Sequence, residues 1–180
     1  GSAGLAGEMA KTWTGKAPVK KKKGYAKEKA DNEERPVLMV SGRRNSATYE
    51  QVKELKGFTD IMFIPMDFSG NKVRISNWLD SGQSEGKSMA IYSENKAEDV
   101  APDTVMNTLS QLARRLCEGN LFKNLILAGG DTAMNVCRAL GIEALKVEAS
   151  VLPGIAFCRD VAGRYNIILK PGGFGDSNAL

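Results

Sequence analysis

Three short segments carry residue types suited to holding a phosphate group. The strongest is LAGGDTA, residues 127–133, where an apolar run meets two glycines and then Asp131 and Thr132. Glycine lets the backbone turn sharply and lets a phosphate approach with no Cβ in the way. Where such a turn opens a helix, the N–H groups of the first turn and the positive end of the dipole favour an anion. Asp131 or Thr132 can cap that helix, and the Thr132 hydroxyl can alternatively reach a phosphate oxygen. The same residues equally suit a plain strand-to-helix turn that needs Gly for geometry and Asp for a cap.

The second segment is KPGGFGD, residues 170–176. Its glycines suit a backbone wrapped closely around a ligand, and Lys170 can contribute charge; a turn with Phe174 tucked into the core is the plainer reading. The third is SGRRNSATYEQ, residues 41–51, in which Arg43 and Arg44 either hold phosphates or stand exposed on a loop. Neither GxxxxGK[ST] nor GxGxxG occurs, so the P-loop and the dinucleotide fingerprint do not apply. Histidine is absent altogether, which removes His-based triads, His metal sites and a histidine general base. The scattered Asp and Glu match no zinc spacing.

The elements that must position these segments read as alternating strands and helices. Val37–Ser41, Ile61–Ile64 (ended by Pro65), Ser88–Tyr92 and Leu121–Ala128 are apolar runs with the character of buried strands. Ser46–Lys56, Asp103–Cys117 and Thr132–Leu140 carry apolar residues at helical spacing, with Gly57, Gly119 and Gly141 behind them as stops. A weak helix near Trp78 and a short helical piece before Trp13 complete the reading. Leu145–Ala149, Ile155–Phe157 and Ile167–Leu169 follow one another too closely for helical crossovers between all of them. The expected fold is α/β: a three-layer, mostly parallel sheet with helices on both faces and some antiparallel strands near the C-terminus. Ligands of such sheets bind beyond the carboxyl ends of the strands, which is where all three segments fall.

The 180 residues suffice for one domain with a real core. Residues 1–35 read as an opening segment and basic linker, and residues 36–180 as the domain. The net charge of +4 comes entirely from the linker, because residues 36–180 hold sixteen basic and sixteen acidic residues. Acidic residues directly follow Lys20–Lys23, so this run reads as a solvated linker and no nucleic-acid partner is expected. An RNA arm would show affinity falling steeply with salt. No apolar run reaches the ~20 residues of a membrane span, and Cys117, Cys137 and Cys158 read as reduced thiols of a cytoplasmic protein.

Taken in order, Ser41-Gly42 with Thr48 and Gln51, Gly129–Thr132, Pro153-Gly154 and Lys170–Asp176 resemble the nucleotide-binding C-terminal domain of the four-carbon acid sugar kinases. These are enzymes similar to the 3-oxo-tetronate, threonate and erythronate kinases. The resemblance covers residues 37–180. The opening GSAGLA is similar to the end of the family's sugar-binding N-terminal half, which would then lie outside this sequence. The resemblance implies a domain that binds ATP with Mg²⁺ for transfer to a hydroxyl of a small sugar acid. It implies nucleotide contacts from Ser41, Arg43 and Asn45, from Gly129, Gly130, Asp131 and Thr132, and from Gly172 and Gly173. Arg43, Asn45 and Ser46 depart from the family's Ser and Pro in the first loop, and Pro171 replaces a Ser in the last. No residue is assigned as catalytic or as a metal ligand. The sugar acid is expected to be bound mainly by the N-terminal half, so that this chain alone is inactive; a homo-oligomer is admitted. The alternative is a degenerate or regulatory nucleotide-binding module without activity.

Overall fold

A computed structural model describes residues 36–42, 46–55, 61–66, 86–93, 100–119 and 121–173. The elements are, in chain order, β1 (Val37–Ser41), α1 (Ser46–Leu55), β2 (Ile61–Met66), β3 (Ser88–Ser93), α2 (Pro102–Glu118), β4 (Asn124–Ala128), α3 (Gly130–Ala139), β5 (Leu145–Leu152), β6 (Ile155–Asp160) and β7 (Asn166–Lys170). The seven strands form one sheet in the order β2-β3-β1-β4-β7-β6-β5. β2, β3, β1, β4 and β7 run parallel, while β6 and β5 run antiparallel to their neighbours. The expected α/β fold with antiparallel strands near the C-terminus is the fold observed. The expected helices near Trp13 and Trp78 lie outside the described residues.

Alternation along the strands builds two hydrophobic layers. Leu38 and Val40 of β1, Ile91 of β3 and Leu125 and Leu127 of β4 pack with Leu109, Ala113 and Leu116 of α2 and Val136 and Leu140 of α3. Met39, Ala90, Tyr92 and Ala128 face the other way, with Val52 of α1. Helices thus cover both faces of the central strands, which explains why those strands read as continuous apolar runs.

The boundaries have local causes. Pro102 stands in the first turn of α2, where its missing N–H costs nothing, and Asp103 complements the dipole there. Gly141, at φ 64°, ends α3. Its N–H donates to the Arg138 carbonyl at 3.1 Å, and the Ile142 N–H donates to the Cys137 carbonyl at 2.9 Å, the paired bonds of a Schellman motif. Pro65 does not end β2 but lies within it, opposite Tyr92. β2 is the outermost strand, and an edge position tolerates a residue that cannot donate to a further neighbour. Pro153 and Gly154 (φ 81°) make the two-residue turn between β5 and β6, with Leu152 paired to Ile155. Proline followed by a positive-φ glycine is the type II arrangement.

α3 is also fastened at its far end. The Arg164 guanidinium donates to the carbonyls of Leu140 (3.2 Å) and Gly141 (2.8 Å) and pairs with the buried Asp160 carboxylate at 2.9 Å. Asp160 further accepts from the Ala162 N–H at 3.1 Å. The β6–β7 turn is therefore tied to the C-terminus of the helix whose N-terminus forms the glycine loop. Among the described residues no helix is long and apolar enough to cross a membrane.

Candidate functional site

The parallel register sets Ser41, Ala128 and Lys170 level with one another across β1, β4 and β7. The three segments singled out by their glycines and charges therefore leave the sheet side by side at its carboxyl edge. The chain passes from β1 through α1 toward β2 on one side, and from β4 through α3 toward β5 on the other. Loops that diverge in this way leave a crevice between adjacent strands, the usual ligand position in an open α/β sheet.

Three hydrogen bonds hold the loops together in pairs. The Gly42 N–H donates to Thr132 Oγ1 at 3.1 Å, joining the first loop to the glycine loop. The Gly129 N–H donates to the Lys170 carbonyl at 2.8 Å, joining the glycine loop to the end of β7. The Thr48 hydroxyl donates to the Gly172 carbonyl at 2.9 Å, joining α1 to the last loop. Gly42 permits a further close approach, because a Cβ there would collide with the Met106 side chain of α2.

The glycine loop differs in detail from its sequence reading. α3 begins at Gly130, not Thr132, and its N-cap is Gly129, at φ 106°. That N-cap makes no side-chain cap hydrogen bond. The Thr132 side chain is buried, and its oxygen is engaged by the Gly42 N–H and lies 3.9 Å from Met106 Sδ. Its role visible here is to pin the loops. Gly129 needs its glycine for backbone conformation, since an added Cβ would also press on Thr132 Oγ1 at 3.3 Å. Gly130 is the opposite case: an added Cβ would meet no atom of the described residues within 4 Å. The start of α3 thus presents an uncapped N-terminus beside open space, an arrangement that accommodates an anion.

Of the other expected contacts, Ser41 is buried at the end of β1, Gly172 is half-buried and Gly173 exposed. Arg43 and Asn45 lie outside the described residues. Sequence reasoning omitted Thr48 from the site, although it falls eight positions into β1–α1 and is buried under the last loop. It also undervalued Lys170, which is 1% exposed. Burial pushes the Lys170 ammonium below its ordinary range. Among the described residues no group of three or more His, Cys, Asp or Glu is placed to hold a metal. Mg²⁺ commonly reaches such a site with its own waters on the phosphates, needing few protein ligands.

A largely parallel α/β sheet with an uncapped helix N-terminus at its carboxyl edge is a setting in which anionic ligands commonly bind. A model of the family described as "nucleotide-binding C-terminal domain" matches residues 38–180, and the chain belongs to that family. It is similar to the 3-oxo-tetronate kinase of Brucella melitensis, with 25% identity over 194 aligned positions covering 97% of this chain and 43% of that protein. It is 25% identical over 115 residues to the 3-oxo-tetronate kinase of Pectobacterium atrosepticum, covering 58% of this chain and 27% of that one. It is 35% identical over 86 residues to the 3-oxo-isoapionate kinase of Paraburkholderia graminis, covering 45% and 18%. The chain spans less than half the length of these curated relatives, and is related at low identity to kinases of four-carbon sugar acids. Among solved structures it resembles a domain of unknown function from Bordetella bronchiseptica, a domain-swapped dimer with bound citrate. That match has a TM-score of 0.67 and 21% identity, and covers 79% of this chain and 38% of the other. A protein of Salmonella typhimurium matches with a TM-score of 0.65, 20% identity and coverage of 79% and 39%. These two likenesses establish the fold.

Proposed function

We propose that this chain is the ATP-binding part of a kinase that phosphorylates a hydroxyl of a small, four-carbon sugar acid. The observation that carries the proposal is the open space at Gly130, beside an uncapped helix N-terminus, where three strand-end loops are tied together. In this reading the amides at the start of α3 and the backbone of Gly172 and Gly173 receive the phosphates of Mg²⁺-ATP. Ser41, Arg43 and Asn45 complete the pocket from the first loop. Phosphoryl transfer is mostly positioning and charge neutralisation, so a domain that holds only the donor does not complete the reaction. The sugar acid is bound by a further domain, and the 180-residue chain alone has no kinase activity. The similarity to kinases of Brucella melitensis, Pectobacterium atrosepticum and Paraburkholderia graminis supports this reading.

The test is a calorimetric titration of the chain with Mg²⁺ and a non-hydrolysable ATP analogue, beside a Gly130→Val variant. Saturable binding by the natural chain that is lost in the variant is the expected result. Binding that survives in the variant places the nucleotide elsewhere and ends the proposal. Self-association belongs to the same reading. β5 is the last strand of the sheet and leaves Val147, Val151 and Leu152 exposed, an apolar edge suited to a second copy. Sedimentation of the natural chain and of a Val147→Lys variant tests it, a monomer in both refuting it.

A further inference from the structure

Lys170 is an electrostatic anomaly of this domain. Its side chain is 1% exposed, and no carboxylate among the described residues forms an ion pair with it. Among the described residues its Nζ has two acceptors, both neutral: Thr48 Oγ1 at 3.4 Å and the Pro171 carbonyl at 3.3 Å, both long for hydrogen bonds to an ammonium. Thr48 lies in the first turn of α1, where the helix dipole is positive. Two features of its surroundings, burial and a helix N-terminus, therefore disfavour the charge, and among the described residues no anion compensates. Buried charges in proteins are ordinarily paired.

What is missing can be read from the neighbours. Lys170 ends β7 level with Ala128, and its own carbonyl holds the Gly129 N–H. Among the described residues of these loops, Ser41–Gly42, Ser46–Thr48, Ala128–Thr132 and Lys170–Gly173, it is the one cation; Arg43 and Arg44 of the first loop lie outside the described residues. The amides of the glycine loop bring dipoles but no full charge, and Asp131 brings a negative one. A polyphosphate needs a cation here.

We propose that Lys170 is the residue that neutralises phosphate charge in this site, its ammonium completed by a phosphate oxygen of the nucleotide and oriented by Thr48. The inference rests on the nucleotide reading above and adds a residue to it. The Thr48 hydroxyl accepts from Lys170 and donates to Gly172, so it sets the ammonium against the last loop. Without nucleotide, Lys170 lowers the stability of the fold; with nucleotide, the same charge becomes an affinity determinant.

The test uses the whole chain and a Lys170→Met variant, which keeps an unbranched apolar stem and removes the charge. Thermal melting without ligand is measured first, then calorimetric binding of the Mg²⁺-ATP analogue and of AMP. The expected result is a melting temperature equal to or above that of the natural chain. Affinity for the analogue should fall on the order of 10–100-fold, as for loss of a charged hydrogen bond, while affinity for AMP changes far less. Three results overturn the proposal. If the variant binds the analogue within about twofold of the natural chain, while Gly130→Val abolishes binding, the nucleotide site stands and Lys170 is not part of its charge balance. If the variant melts lower and loses AMP and analogue alike, Lys170 is a structural latch. If the natural chain binds neither nucleotide, the underlying reading falls and takes this one with it.

Discussion

The two adjacent glycines of the glycine loop should respond to alanine in opposite ways. At Gly129 the backbone sits at φ 106°, and a new methyl would lie 3.3 Å from Thr132 Oγ1, the atom that accepts the Gly42 N–H. Forcing a side chain into such a conformation costs roughly 1–3 kcal/mol. That corresponds to a melting temperature lower by several degrees in a chain of this size. At Gly130 the backbone is helical and a methyl meets no atom of the described residues within 4 Å. Alanine there should leave stability unchanged or raise it by about 0.4–1 kcal/mol through the unfolded chain. In the nucleotide reading proposed above, that space receives a phosphate, however. Crowding a close-fitted contact by one methyl costs roughly 1–3 kcal/mol, or about 5- to 150-fold in affinity. Thermal melting with and without the Mg²⁺-ATP analogue, followed by calorimetry, separates the cases. Gly129→Ala should lose stability; Gly130→Ala should lose only binding. Unchanged affinity in Gly130→Ala, or equal destabilisation by both, would refute the assignment of that space to a ligand.

Thr132→Val keeps the buried shape but leaves the Gly42 N–H without its acceptor. It should cost about 1–3 kcal/mol, read by urea denaturation, whereas Thr132→Ser should remain near the natural value. Arg164→Ala strips a partner from the buried Asp160 carboxylate and two carbonyls at the end of α3. A loss of about 1–3 kcal/mol is expected; no change would mean that water replaces all three bonds. At alkaline pH two groups oppose each other. Lys170 titrates below its ordinary 10.5 when folded, so between its lowered value and 10.5 the unfolded chain holds more protons and stability rises with pH. Burial pushes the Cys117 thiol from 9.0 up to about 12, so stability is lost as pH rises through that interval. Lys170→Met removes only the first effect, and its stability advantage over the natural chain should shrink between neutral pH and pH 10.5. A constant difference in denaturant midpoints would show that Lys170 is not electrostatically strained.

The parallel core was legible because its strands are covered on both faces and its helices on one. Val37–Val40 is apolar throughout, and the buried stripe from Val105 to Cys117 admits one polar residue, Ser110, whose hydroxyl donates to the Asn107 carbonyl at 3.1 Å. The closing antiparallel strands were legible from spacing alone, since no helix fits between Leu152 and Ile155. Less visible was what depends on depth and register. The apolar run before Ala128 extends back to Leu121, but only Asn124–Ala128 is paired with β1, and Phe122 is buried outside the strand. Thr132 carries a hydroxyl suited to a phosphate, and nothing local reveals that Gly42, ninety residues earlier, occupies it. Lys170 sits beside three glycines in a segment that reads as a surface turn. Its burial comes from α1, which reaches it only through the sheet order β1-β4-β7.

That sheet order also explains why a polar site and a sound core coexist in so small a domain. α1 and α3 lie on opposite faces of the sheet, yet both begin at its carboxyl edge, so their positive ends converge without the helices touching a common layer. The apolar residues of each face remain closed beneath them. Two unfavourable features lie at that edge: a helix N-terminus without a side-chain cap and a buried ammonium. Each is costly without a ligand, and an anion relieves both. A sequence selected only for stability would replace Lys170 with an apolar residue. The meeting of these two features at one edge is the physical argument behind the nucleotide reading proposed above.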